Sequence, residues 1–252
     1  MNIIDRIKKA ENDFPQTFTS FVEKEYGILF YDDANINSYD SNHVILFTNT
    51  DVNLRDVLTE ITTFYLDKGI TPRIYQPFEN GYFAKHRELL DSLGYKVQTF
   101  GYNHYMLLSG ENNIKVKNKL EIKRLLEWDN RIANDIFIPA EEEYEIPVLR
   151  KIINKKDYFV FVGYIDEVAV VITYIHKTAN GCTRFDYILT AKNHRNKGYA
   201  REILSYTVEY CKENGMDNCY QWPAHETSEK LCYEAGFRVL FEAEAGEATY
   251  CK

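Results

Sequence analysis

The stretch Arg195-Asn196-Lys197-Gly198-Tyr199-Ala200-Arg201 has the make-up of an anion cradle. It follows Tyr187-Ile188-Leu189-Thr190, which has strand character, and the short connection Ala191-Lys192-Asn193-His194. It leads into Ile203, Leu204, Tyr206, Thr207, Val208 and Tyr210, the apolar spacing of an amphipathic helix. A strand, a turn and a helix in that order bring backbone N–H groups together at a helix N-terminus, where the partial positive charge favours a diphosphate. Gly198 permits close approach and unusual dihedrals. Ala200 leaves room beside the first helical turn, and Arg195, Lys197 and Arg201 add positive charge.

The elements that must hold this turn are legible around it. After the polar stretch from Gly110 to Lys119, the best linker in the chain, the pattern predicts a strand from Leu120 to Lys123 and helices from Leu126 to Ile136 and Tyr144 to Ile153. A hairpin follows (Tyr158 to Tyr164, Val168 to His176), then a strand from Cys182 to Thr190, a helix from Gly198 to about Asn214, and a strand from Cys219 to Trp222. A helix from Thr227 to Ala235 precedes strands near Arg238 to Glu242 and Ala248 to Cys251. The first half predicts a helix from Ile3 to Phe14, a strand from His43 to Phe47, a helix from Val52 to Leu66 and a strand from Arg73 to Gln76. A helix from Lys85 to Leu93 follows, then two strands between Lys96 and Leu108, joined near Gly101. Both halves end with a helix closing on glycine (Gly69, Gly215), a strand, a second glycine-closed helix (Gly94, Gly236) and a strand pair. We read this as a duplicated fold of domains 1–112 and 113–252; plain α/β alternation is the simpler alternative.

Composition narrows the function class. With 45% hydrophobic and 27% charged residues, the 252-residue chain can bury a core. Residues 1–112 hold 16 acidic and 10 basic side chains and residues 113–252 hold 22 and 20, so neither half has the basic footprint of a nucleic-acid binder. The start, Met1 to Lys9, lacks the apolar core of a secretory signal, and no apolar run has membrane-spanning length. A cytoplasmic protein without a membrane partner is expected. Cys182, Cys211, Cys219, Cys232 and Cys251 contain no Cys-x-x-Cys pair, so they read as free thiols, and no metal is expected.

The Arg-x-x-Gly-x-Ala spacing of Arg195–Ala200, with the helix and closing Gly-Phe of Ser228 to Phe237, resembles the GNAT superfamily of N-acetyltransferases over about residues 118–252. The resemblance implies an α/β (α+β) acyl-CoA N-acyltransferase fold, with a mixed, largely antiparallel sheet flanked by helices. It also implies acetyl-CoA as co-substrate. Backbone groups of Ile188, Leu189 and Thr190 would hold the pantetheine arm. Asn196, Lys197, Gly198, Tyr199 and Ala200, with Arg195 and Arg201, would hold the pyrophosphate. The family often places an acid Tyr four residues before the Gly of Gly-Phe. This chain has Cys232 there, with Tyr233 beside it. Cys232 is a candidate proton donor or a small core residue, and Tyr233 a substitute acid or a packing residue. Where the family often has Asn, this chain has His225, a coenzyme contact or a helix cap.

Asp186 is the leading base candidate, because period two on its strand places it on the side of Ile188 and Thr190. The bland alternative is a salt bridge to Arg184. Glu141-Glu142-Glu143 is either a cation-binding segment or a solvated loop, and His176 reads as structural. The first half lacks the turn: Asn49-Thr50-Asp51-Val52-Asn53-Leu54 has no glycine and carries an acid where phosphate would sit. The expected activity is N-acetyl transfer from acetyl-CoA to a small-molecule amine by direct attack in a ternary complex. The alternative is an acyl-CoA-binding module without turnover. A tRNA-dependent aminoacyl transferase is disfavoured by the acidic balance and the intact turn. Acceptor identity and oligomeric state are not encoded locally.

Overall fold

The computed structural model describes residues 1–48, 50–117 and 119–251. Asn49 of the segment compared with the turn, Asn118 of the linker, and Lys252 lie outside them. The chain forms two compact units. One comprises Met1–Ala10 and His104–Phe241, the other Glu11–Asn103 and Glu242–Lys252. They are called here the C-terminal and N-terminal units.

The units do not part at the linker between residues 112 and 113. The reason lies in two 14-residue strands, β5 (Tyr95–Leu108) and β11 (Phe237–Tyr250). Each begins in one unit and ends in the other. Both were expected as strand pairs. Gly101, at φ +87, sits inside β5 without ending it. β11 runs on through the Glu-Ala alternation of 242–245, with Ala243 and Ala245 buried, and then pairs along the neighbouring strand, Glu247 opposite Tyr75.

The N-terminal unit holds β1 (Ser20–Lys24), β2 (Gly27–Tyr31), β3 (His43–Leu46), α2 (Leu54–Leu66), β4 (Arg73–Tyr75) and α3 (Tyr82–Ser92), preceded in the chain by α1 (Ile3–Asp13). The hairpin β1–β2 escapes the sequence pattern because β1 is an edge strand with no buried side chain. Leu58, Ile61 and Tyr65 of α2 are fully buried in one cluster with Leu29, Val44, Ile74 and Leu90. Burying each such aliphatic side chain contributes roughly 1.5–3 kcal/mol. The Tyr65 hydroxyl donates to the carbonyls of Phe30 (2.8 Å) and His43 (2.6 Å), tying β2 to β3.

The C-terminal unit adds β6 (Glu121–Leu125), α4 (Asn130–Ile132), a π-helical turn (Ala133–Phe137), α5 (Ile138–Ala140) and α6 (Glu145–Ile152). After these come β7 (Tyr158–Ile165), β8 (Val168–Lys177), β9 (Thr183–Thr190), α7 (Tyr199–Glu213), β10 (Cys219–Gln221) and α8 (Glu226–Glu234). Its strands run β5-β10-β9-β8-β7-β6. Ile203, Leu204, Val208 and Cys211 of α7 pack with Phe161, Val170, Val171, Phe185 and Phe237.

The duplication is visible in topology. In the C-terminal unit α7 connects the parallel pair β9 and β10, and β5 lies antiparallel beside β10. In the N-terminal unit α2 connects the parallel pair β3 and β4, and β11 lies antiparallel beside β4. Parallel neighbours require such a crossover, and a helix is its usual form.

Candidate active site

Gly198 stands at the N-cap of α7 with φ +87 and ψ 8, a left-handed conformation that favours glycine. A Cβ placed there would meet no atom within 4 Å. Glycine is therefore required by the backbone angle, and the space beside it is open. Asn196 is also left-handed, at φ 64. No side chain caps α7, so the N–H groups of its first turn, which have no intrahelical acceptor, face outward. Arg195 Nε donates to the carbonyl of Thr190 at 3.3 Å and pins the turn to the end of β9.

These groups open onto a groove of about 900 Å³. Ile188, Leu189, Thr190, Arg195, Asn196, Lys197, Gly198, Tyr199, Ala200, Arg201 and His225 all line it, so the structure gathers every residue singled out for coenzyme contact. It adds residues the sequence pattern did not point to: Lys115, Val116 and Lys117 from the linker, and Thr227, Lys230 and Leu231 from α8. The linker lysines were legible as charge, but nothing local says that the segment lies along this groove. Arg201 Nη1 donates to Glu234 Oε1 at 3.0 Å across α7 and α8. This partner raises the Arg201 pKa and lowers that of Glu234.

The proton-transfer candidates lie elsewhere. Cys232 is 3% exposed, within the core cluster, and burial together with nearby Glu229 pushes its thiol up to about 12. Tyr233 is 39% exposed, with the Arg238 guanidinium 5.9 Å from its ring centroid. Leu231 and Glu234 of the same helix line the groove, but neither Cys232 nor Tyr233 does.

Asp186 does not follow the alternation expected of its strand. Thr173 of β8 pairs with Ile188 and Ile175 pairs with Phe185, so three steps on β9 oppose two on β8. This bulge at Asp186 and Tyr187 breaks period two. Phe185 and Ile188 both pack on the core cluster beneath α7, while Asp186 and Tyr187 lie opposite Tyr174. Asp186 closes an ion pair with buried Arg184, the pairing that the plain reading anticipated. The Tyr174 hydroxyl hydrogen-bonds Asp186, and burial with Asp186 and Glu145 nearby raises its pKa well above the ordinary value. Tyr187 is raised by burial and by the nearby charges of Glu145 and Glu142. Its ring stacks on Phe137 (6.4 Å between centroids) and lies 6.3 Å from Tyr174. Glu145 is 5% exposed, and the Tyr144 hydroxyl hydrogen-bonds Glu142. This face of β8 and β9 is thus acidic and aromatic. His176, at its far end, stacks on Tyr158 at 4.2 Å, and burial with Arg184 and Lys155 nearby lowers it to about 4.

The acetyltransferase (GNAT) family model matches residues 122–237. By sequence, that segment is similar to the GNAT acetyltransferase family. The match spans β6 to the start of β11 and includes the whole Arg195–Ala200 turn. Solved structures extend the likeness of fold to the full chain. A GCN5-related N-acetyltransferase from Kribbella flavida superposes with a TM-score of 0.70 at 14% identity, covering 100% of this chain and 97% of its own. A GCN5-related N-acetyltransferase-like protein from Streptococcus suis gives 0.60 at 14% identity, with 98% of each chain covered. A tandem GNAT protein from the clavulanic acid biosynthesis pathway gives 0.60 at 9% identity, covering 93% of this chain and 84% of its own. At these identities the likeness is one of fold. The N-terminal unit fits a GNAT-like fold. A search of curated protein sequences gives no match. Among the described residues no helix is long and apolar enough to cross a membrane.

Proposed function

We propose that the chain is an acetyl-CoA-dependent N-acetyltransferase whose acceptor is a cationic small-molecule amine. The observation that carries this reading is the groove uniting the end of β9 with the open, glycine-started N-terminus of α7. In this reading the first-turn N–H groups and Arg195 and Lys197 receive the pyrophosphate, and the backbone of Ile188, Leu189 and Thr190 holds the pantetheine arm. A backbone N–H of this strand polarises the thioester carbonyl.

The acidic, aromatic face of β8 and β9 supplies the acceptor half. Glu142, Glu145 and Asp186 attract an ammonium, and Tyr174 and Tyr187 offer ring faces and hydroxyls. The amine loses a proton and its nitrogen lone pair attacks the thioester carbon. The new C–N bond forms, the C–S bond breaks, and the electron pair leaves on sulfur. Asp186 takes the ammonium proton before attack and releases it to solvent, and the second proton, shed by the nitrogen as the amide forms, goes to the thiolate. Cys232 and Tyr233 have no part in this scheme, because neither lines the groove.

The test is incubation with acetyl-CoA and a panel of amines, following thiol release. Turnover on cationic amines that falls in Asp186→Asn and Glu145→Gln supports the reading. Saturable acetyl-CoA binding without turnover on any amine makes the chain a binding module instead.

A further inference from the structure

We propose that the N-terminal unit carries a second small-molecule site, which takes a free α-amino acid with an apolar or aromatic side chain. A pocket of about 360 Å³ lies where β3 ends and α2 and α3 begin. It occupies the place in this unit that the coenzyme groove occupies in the other, but its chemistry differs. The loop before α2 has no glycine and carries Asp51. Asn53 caps α2, its side chain accepting the N–H of Arg55 at 3.0 Å, so this helix end does not offer its N–H groups to a diphosphate.

The second helix start at this pocket belongs to α3. Gly81 is its N-cap at φ 79 and ψ 0, without a side-chain cap, and a Cβ there would meet nothing within 4 Å. The Gly81 N–H donates to Glu244 Oε2 at 2.6 Å, and the Glu244 N–H donates to Asn80 Oδ1 at 2.8 Å, which fixes the turn. The amides of this turn that line the pocket are already bonded, Tyr82 N–H to the Glu79 carbonyl at 3.0 Å and Lys85 N–H to the Gly81 carbonyl at 2.9 Å, so the group offered to a carboxylate is the Lys85 ammonium. Glu79, on the same rim, accepts from the Thr48 hydroxyl at 3.2 Å and presents a carboxylate to an ammonium. Leu46, Phe47, Leu54 and Val57 supply the apolar wall, with Phe47 40% exposed. Buried Tyr82 completes the lining, and among the described residues its hydroxyl has no partner. His86, beside Lys85, is lowered by burial and that neighbouring charge, which leaves Lys85 and Glu79 as the charged groups among the described lining residues. A lone anion would meet Glu79 and a lone cation would meet Lys85. A zwitterion satisfies both, and the volume suits one amino acid.

Isothermal titration of the full chain with each of the twenty amino acids tests this. For any that binds, the matching decarboxylated amine and deaminated acid are titrated as well. The expected result is one-to-one binding of an apolar or aromatic subset. Affinity should drop about tenfold or more in Glu79→Gln and in Lys85→Met, and for both truncated analogues. Gly198→Val should leave it unchanged, which separates this site from the coenzyme groove. No saturable binding at millimolar concentration overturns the proposal. So does binding that ignores Glu79→Gln and Lys85→Met, or that is lost in Asp186→Asn.

Discussion

Glu202 Oε1, at the start of α7, accepts the backbone N–H of Leu120 at 2.8 Å and also that of Lys119 at 2.7 Å. The carboxylate is therefore the clasp that holds the linker against the helix whose N-terminus forms the groove. Glu202 is 7% exposed, so its removal leaves two amides unsatisfied at about 1–3 kcal/mol each. Lys115 and Lys117 lie just upstream on the groove wall. Glu202→Ala should destabilise the chain in urea titration and raise KM for acetyl-CoA more than it lowers kcat. Glu202→Gln, which keeps the acceptor oxygen, should restore most of both.

Gly198 and Gly236 are both left-handed, at φ +87 and φ +99, but their surroundings differ. A Cβ at Gly198 meets open space, whereas at Gly236 it would fall 2.5 Å from the carbonyl oxygen of Gly110. Gly198→Ala should cost only the conformational strain, about 1–2 kcal/mol. Gly198→Val should leave a folded chain that no longer binds acetyl-CoA in calorimetry. Gly236→Ala should be the more destabilising alanine substitution by thermal melt, because backbone must move to admit it. Unchanged acetyl-CoA affinity in Gly198→Val would remove the groove from the proposed mechanism.

Arg184 and Asp186 form their ion pair with 7% and 17% of the side chains exposed. Breaking a buried pair from one side leaves the other charge uncompensated, at roughly 3–5 kcal/mol. Arg184→Met and Asp186→Asn should each lower the urea midpoint. The double variant should lose less than the sum of the two, and a double-mutant cycle measures the difference. Only Asp186→Asn should also shift the pH profile of kcat/KM.

Each unit buries one histidine that the fold holds neutral. His43 is 4% exposed and His176 is 8% exposed, and burial lowers both to about 4. In the unfolded chain they titrate near 6.5. Between these values the unfolded state binds protons that the folded state does not, so stability falls as pH drops from about 6.5 towards 4. Full stabilisation is present above that window. The loss is on the order of 3 kcal/mol per histidine. Urea titrations between pH 7.5 and 4.5 should show it, and His176→Gln should flatten the slope.

Four of the five cysteines are buried and Cys251 is exposed. Iodoacetamide on the folded chain should label Cys251 first, and Cys251→Ser should remove the fast phase seen by mass spectrometry. Cys232, with its thiol raised to about 12, should react only on unfolding. Cys232→Ser should keep turnover; a large loss of kcat without loss of stability would return the acid role to this position.

Local order was written in the sequence. The Arg195–Ala200 turn, the helix periodicity of α2 and α7, and the glycine stops at Gly69, Gly94, Gly215 and Gly236 depend on near neighbours along the chain. Left-handed backbone selects glycine, and a half-buried helix repeats its apolar face every three or four residues. The same signals placed one glycine turn in the second half of the chain and none in the first.

Only the tertiary structure decided the rest, because it depends on partners far away in the chain. The bulge at Asp186 and Tyr187 exists in the register between β8 and β9, and it turned Asp186 away from the face that alternation assigned it. The passage of β5 and β11 from one unit to the other is a matter of strand pairing, which no pattern within 14 residues records. The burial of Cys232 depends on α7 and Phe237 packing around it, and the linker lysines reach the groove because Glu202 holds Lys119 and Leu120. A residue's type limits its chemistry, but its surroundings fix its charge and access, and those surroundings come from the other end of the fold.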